Sequence, residues 1–185
     1  MATIFDNLKQ AGQNAITWLR QNAAKLNRVS PAELMRDADN KTNTMQMGKM
    51  YMFFYDPKHK TKLPYYDTFP LVIPIEKYSD GFLGLNMHYL APKLRLNLLE
   101  GLMKITNNQS MNNSTRMMVT YNLLSSTKRH RYFKPTLKRY LSTHVQSQFL
   151  NIKPDEWETA IFLPVERFVK KNKKAVWKIS RELLS

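Results

Sequence analysis

The sequence points to an α+β fold in which a small antiparallel β-meander or barrel is flanked by N-terminal and C-terminal helices. Three observations carry that expectation. Residues 48–90 contain three blocks rich in aromatic and β-branched residues, 50–55, 69–75 and 82–90, separated by turn-forming residues. On either side of them the apolar residues recur at helical spacing. Between the first helical pattern and the β blocks lies a polar, turn-prone stretch, DNKTNT at 39–44. Residues 1–44 therefore read as a helical arm with a linker, and residues 45–185 as one compact domain.

In the arm, Ile4, Phe5, Leu8, Ala15, Ile16, Leu19, Ala23 and Leu26 form an apolar stripe with Lys9, Gln13, Arg20 and Lys25 among the polar positions between them. This predicts an amphipathic helix of about six turns. Gly12 weakens such a helix in isolation and the stripe is narrow, so it docks on its own domain, on another subunit or on a membrane surface. In the second case Phe5, Leu8, Ile16 and Leu19 are the subunit contacts. A shorter helix starts at Ser30-Pro31-Ala32-Glu33, where Ser30 caps, Pro31 fits the first turn and Glu33 faces the positive end of the dipole; it ends near Asp37.

Within the meander, Asp80-Gly81 separates the second and third blocks and is a hairpin signal, because a tight turn needs a residue that tolerates positive φ. Phe69, Tyr89 and Leu90 are expected in the core or a subunit contact, and Tyr65 and Tyr66 in a subunit contact. After Leu90 the period becomes helical. Pro92 suits a first turn, and Leu94, Leu96, Leu98, Leu99, Leu102 and Met103 supply the apolar face of a helix packed across the meander. Residues 107–114, NNQSMNNS, are a loop by composition, and 117–124 fit a strand or another helix.

The formal charge of +15, from 29 Lys and Arg against 14 Asp and Glu, exceeds what solubility requires and points to a polyanionic partner or an acidic neighbouring subunit. Most of the excess lies in residues 93–151, which hold 10 basic residues and 1 acidic one. Its centre is KRHRYFKPTLKRY at 128–140, where Lys128, Arg129, Arg131, Lys134, Lys138 and Arg139 interleave with His130, Tyr132, Phe133 and Tyr140. Such a run neutralises phosphates by counterion release while its rings stack on bases. A competing reading makes Phe133, Leu137, Tyr140 and Leu141 the buried face of a helix starting at Pro135, with the cations in solvent. The aromatic residues fit the second reading and the cations fit either.

In the last third, Pro154-Asp155-Glu156 opens a helical first turn or a turn into strand-like residues 160–163. Asp155, Glu156 and Glu158 have no histidine or further carboxylate at ligand spacing, so capping and surface roles fit them better than catalysis. Lys170, Lys171, Lys173 and Lys174 then lead into a terminal helix whose Trp177 anchors the tail in a groove.

Enzyme signatures are absent: there is no GxxxxGK[ST], GxSxG or HExxH, and His59, His88, His130 and His144 are widely spaced. His88 reads as a hydrogen-bonded core histidine, and Asp56 and Asp67 as turn residues. Without cysteine there is no disulfide framework, thiolate metal site or catalytic thiol, and assembly in the cytosol is the default. The N-terminus lacks the apolar core of a secretory signal, and no stretch approaches the roughly 18 to 20 apolar residues of a membrane span.

Four segments, MYMFFYDPKHKTKLPYYDTFPLVIPIE, GFLGLNMHYLAPKLRLNLLEGL, FKPTLKRYLSTHV and IKPDEWETAIFLPVERFVKKNKKAVW, cover most of residues 50–177. They resemble minor structural proteins of T-even-type contractile-tailed phages, in particular the DNA end protector (head completion) family. The resemblance implies a non-enzymatic virion protein of the head–tail junction or neck, assembled in the host cytoplasm as part of a symmetric multi-subunit assembly. The partners it implies are other phage structural subunits and a double-stranded DNA end, with no membrane, metal or cofactor. Its alternatives are a tail or baseplate component without DNA contact and a non-catalytic nucleic-acid-binding protein. On the leading reading the six cations of 128–139 face DNA or an acidic protein, and Phe5, Leu8, Ile16, Leu19, Tyr65, Tyr66 and Trp177 meet neighbouring subunits.

Overall fold

The computed structural model describes residues 29–106 and 133–185. The expected amphipathic helix with Phe5, Leu8, Ile16 and Leu19, the segments 107–114 and 117–124, and Lys128, Arg129 and Arg131 lie outside the described residues. In chain order the described elements are α1 (Pro31–Asp37), β1 (Lys41–Thr42), β2 (Met50–Met52), β3 (Tyr66–Asp67), β4 (Leu71–Tyr78), β5 (Gly81–Asn86), α2 (Pro92–Thr106), α3 (Phe133–Thr136), β6 (Leu137–Leu141), β7 (Phe149–Ile152), α4 (Trp157–Phe162), β8 (Phe168–Val169) and α5 (Lys173–Leu184). Six strands form an antiparallel sheet in the order β1-β7-β2-β4-β5-β6, and β3 and β8 form a second, two-stranded one. The class is α+β, and β2, β4 and β5 are the meander. The edge strands β1 and β6 do not pair with each other, so the sheet is open and the barrel alternative is set aside.

Local sequence explains α1 fully. Ser30 Oγ accepts from the Glu33 N–H at 3.2 Å while the Glu33 carboxylate accepts from the Ser30 N–H at 2.9 Å, a reciprocal capping box. Leu34 carries the helix into the core. The segment expected as a linker supplies β1, which pairs Lys41 with Leu150 and Thr42 with Phe149.

The sheet buries both faces, and the period of two along β2 divides the residues between them. Met50 and Met52 join Leu71, Ile73, Leu85 and Ile152 in an aliphatic core packed against Leu98, Leu99 and Ile161 of the helices. Tyr51 and Phe53 face the other way, with Tyr55, Val72, Phe82 and Tyr140, in an aromatic cluster. There the Phe53 and Tyr140 rings meet edge to face at 5.5 Å between centroids, and Phe82 stacks on Tyr140 at 5.1 Å.

Two local expectations are corrected and one open pair of readings is decided. Tyr78 pairs with Gly81, so the hairpin turn is Ser79-Asp80 and Gly81 is already in β5. Glycine stands there because its φ is positive, at 159°, and because a Cβ would sit 1.9 Å from the Tyr140 carbonyl oxygen of the neighbouring strand. Residues 137–141 are the edge strand β6 and not a helix from Pro135: the single helical turn α3 ends at Thr136, and Leu137 and Tyr140 go to opposite faces of the sheet. Of the two readings left open for 154–163, the helical one holds: residues 160–162 are helical rather than strand-like. The Glu156 carboxylate accepts from the Lys153 N–H at 2.9 Å and the Trp157 indole donates to the Ile152 carbonyl at 3.0 Å, which sets the first turn of α4.

Candidate nucleic-acid interface

The end of β5 and the 3-10 turn that follows it (Met87–Tyr89) carry polar groups into the interior. Asp67, at the end of β3, is buried; its carboxylate accepts from the N–H groups of Phe69 and Arg167, each at 3.1 Å, and lies 2.7 Å from His88 Nδ1. Asn86 donates to Asp67 at 3.3 Å and to the Tyr140 hydroxyl at 3.1 Å. His88 is thus the hydrogen-bonded core histidine expected of it. Asp67 does make the expected turn bond to Phe69, but it also ties β3, β5 and the 166–168 segment together.

The same 3-10 turn leads to Arg95, fully buried on α2. All three of its guanidinium nitrogens donate: Nε to the Leu90 carbonyl at 2.7 Å, Nη1 to Ile161 at 2.8 Å, and Nη2 to His88 at 3.3 Å and to the Glu166 carboxylate. Burial pushes the Glu166 carboxyl up, but the Arg95 guanidinium, supported by Lys173 at 3.5 Å, outweighs it and holds the group at about 2. Trp177 completes the arrangement. Its indole donates to the His88 carbonyl at 2.9 Å and its ring lies 5.4 Å from the Arg95 guanidinium, so within this chain it anchors α5.

Beside this closed network a pocket of about 420 Å³ opens between the loop 57–64, the tyrosines at and before β3, and β6. Tyr55, Tyr65, Tyr66, Tyr89 and Tyr140 line it, with Lys58, His59, Lys138 and Arg139. Lys138 and Tyr140 share one parity on β6, which directs both side chains to the aromatic side. The Lys138 ammonium stands 4.0 Å from the centre of the Tyr89 ring, and burial pushes its amine down to about 8. Among the described residues no carboxylate or carbonyl takes its protons. Arg139, by contrast, is engaged with Asp80, with the Phe82 and Tyr140 carbonyls at 3.1 and 2.7 Å, and over the Tyr78 ring at 4.3 Å.

Of the six cations singled out in the sequence, Lys134, Lys138 and Arg139 are described; Lys134 is exposed on α3, Lys138 lies in the pocket and Arg139 braces the hairpin. Tyr65 and Tyr66 are half-buried pocket walls. Sequence reasoning missed Lys58, His59, Lys60 and Lys62, although the run KHKTK between Pro57 and Pro64 is a visible signal. Pairing of β3 with β8 and two bonds from Lys170 Nζ, to the carbonyls of Thr61 at 3.0 Å and Leu63 at 2.7 Å, fix that loop beside β6. Among the described residues no three His, Asp or Glu gather as a metal site, and no described helix is long and apolar enough to cross a membrane.

A family model described as phage T4 terminal DNA protecting protein matches residues 15–181. No curated protein and no solved structure matches the chain.

Proposed function

The chain belongs to the phage T4 terminal DNA protecting protein family, and on that premise we propose that it is a virion protein that holds the end of the packaged duplex through a basic face. Lys138 of β6 and Lys58 of the neighbouring loop, which line one pocket, form the centre of that face; Arg139 braces β6 beside it, the exposed Lys134 and Lys62 are assigned to the same face, and Lys128, Arg129 and Arg131 are further cations of the same basic run. The protein enters the particle from the host cytoplasm and docks at the head–tail junction on neighbouring subunits, with the N-terminal stripe and the exposed part of Trp177 as contacts. Holding a terminus calls for charge and shape complementarity and for no covalent chemistry.

The observation that carries this reading is Lys138, a half-buried ammonium over the Tyr89 ring in a tyrosine-walled pocket, with no described partner for its protons. A phosphate supplies that partner. Fluorescence anisotropy of a short linear duplex across a salt series tests the reading. Binding is expected at low salt, and changing Lys58, Lys62, Lys134 and Lys138 together to Gln lowers the slope of log K against log salt by about 0.9 per lost phosphate contact. Absence of duplex binding at low salt overturns it and leaves an acidic protein surface as the partner of the basic face.

A further inference from the structure

We propose that the tyrosine-walled pocket beside β6 takes the terminal nucleotide of the duplex, its base stacked on Tyr65 and its phosphate held by Lys138 and Lys58. The proposal rests on the DNA-end reading above and names the part of the DNA that the site recognises.

Size comes first. A pocket of about 420 Å³ falls within the range of roughly 300 to 1,000 Å³ that encloses small organic ligands, so it holds a single base with its phosphate and not a run of stacked bases. The chemistry of the walls matches the two halves of a nucleotide. Tyr65 and Tyr66 are half-buried, so their rings keep surface available to the pocket, and the Tyr65 and Tyr89 rings lie at 5.9 Å with planes tilted by 35°. No described residue bonds the Tyr65 hydroxyl. Aromatic faces of this kind accept any base, because every base has a π-face. The Lys138 ammonium, 4.0 Å above Tyr89, is aimed into the same space, with Lys58 on the loop opposite.

Position along the DNA then follows from energetics. An internal base has to leave two stacking neighbours and its paired partner before entering such a pocket, whereas a terminal base has one neighbour and frays. The pocket therefore selects ends without reading sequence, while the outer lysines hold the backbone of the duplex behind the captured nucleotide. Arg139, bound to Asp80 and to two carbonyls, is unavailable to the ligand and keeps β6 in register beside the pocket.

The test uses the full chain and two short duplexes carrying 2-aminopurine, one at the last position and one in the middle. Binding is read by anisotropy and base capture by 2-aminopurine fluorescence. Wild-type protein is expected to change the terminal signal severalfold and to leave the internal one unaltered. Tyr65→Ala removes the terminal change and weakens binding by about tenfold, in keeping with the loss of one stacked base, and Tyr65→Phe restores both. Lys138→Met, which keeps the length of the side chain and removes its charge, serves as a second variant if Tyr65→Ala melts early; it also abolishes the terminal change. An anisotropy rise with an unaltered terminal signal, or a terminal change that survives in folded Lys138→Met, overturns nucleotide capture while the DNA-binding reading stands. No anisotropy rise with either duplex overturns the DNA reading itself. A free mononucleotide that competes as well as the duplex end shows a nucleotide pocket unconnected with termini and likewise overturns the proposal.

Discussion

Arg95, fully buried, and Lys138, half-buried, are cations beside the same 3-10 turn, and the structure treats them in opposite ways. Every guanidinium nitrogen of Arg95 donates to a carbonyl or to Glu166, and an indole lies near its plane. Lys138 meets a ring face and no described acceptor. A buried charge with all its partners is a device for folding: it joins α2, α4, the 3-10 turn and the segment before β8 through one side chain. A half-buried charge without partners opposes folding, since its desolvation is not returned by hydrogen bonds. The contrast separates a region that holds the protein together from one held ready for an external anion.

The largest expected effect breaks the closed half of this comparison. Arg95→Met leaves the Glu166 carboxylate buried beside unpaired carbonyls, and loss of one member of a buried pair costs about 3–5 kcal/mol. Urea denaturation measures it. Arg95→Met combined with Glu166→Leu should recover much of the loss, because an apolar pair leaves no stranded charge. A single variant as stable as wild type would mean that Arg95 is solvated and the comparison false.

Next in size is the acid response of the same pair. Glu166 titrates at about 2 in the folded chain against an ordinary value of 4.5, so its contribution is fully present above pH 4.5 and is lost as pH falls toward about 2. A shift of this size corresponds to about 3 kcal/mol. Denaturation midpoints followed from pH 6 to pH 2.5 should fall more steeply for wild type than for Glu166→Gln. Parallel profiles would show that another carboxylate governs acid stability.

Lys138→Met sharpens the open half. It removes the desolvation cost and keeps the packing on Tyr89, so the free protein should gain about 1 kcal/mol while its affinity for a linear duplex drops. Opposite signs for stability and binding distinguish a functional residue from a structural one. Loss of both would place Lys138 with Arg95.

How much of this was legible in the sequence depends on the distance over which each feature is decided. The capping box of α1 lies within four residues, Ser30 to Glu33, and was read directly. The three blocks of the meander were legible because turn residues bracket each of them. The turn itself was placed one residue late, because Gly81 is required by the Tyr140 carbonyl of a strand distant in sequence. Phe133, Leu137, Tyr140 and Leu141 have helical spacing, and sequence alone does not show that Thr136 ends the helix so that the same residues divide between two faces of an edge strand. The continuous apolar run 160–163 fits either element, and the bonds made by Glu156 and Trp157 decide it. For the site, composition located Lys138 within a basic run but not its separation from Arg139, one residue away and engaged with Asp80. The approach of the 57–64 loop depends on Lys170 and on β8, more than a hundred residues downstream of Thr61 and Leu63. Arg95 and Glu166, 71 residues apart, belong to the same class of information.

The smallest effect tests Lys138 without mutation of the pocket. Burial holds its amine at about 8, below the ordinary 10.5, so between these values the unfolded chain binds more protons than the folded one and stability rises with pH. The cost of the buried charge is fully present below pH 8 and is relieved as pH climbs toward 10.5. Tyr89 and Tyr140 act in the other direction: burial pushes both hydroxyls above their usual 10, so above pH 10 ionisation of these residues in the unfolded chain erodes stability. The informative window is therefore pH 8 to 10, where wild type should gain stability relative to Lys138→Met, by about 1 kcal/mol once solvent screening of the half-buried ammonium is discounted. Saturating duplex should flatten that rise, because a phosphate beside the ammonium favours its charged form and returns the amine toward its ordinary value. Equal slopes for wild type and Lys138→Met without DNA would mean that water fully solvates the ammonium, and Lys138 would then be an ordinary surface cation rather than one held ready for an anion. A slope present without DNA and unchanged by it would leave Lys138 desolvated yet out of reach of the phosphate, and would move the DNA contact to the outer lysines of the loop and of α3.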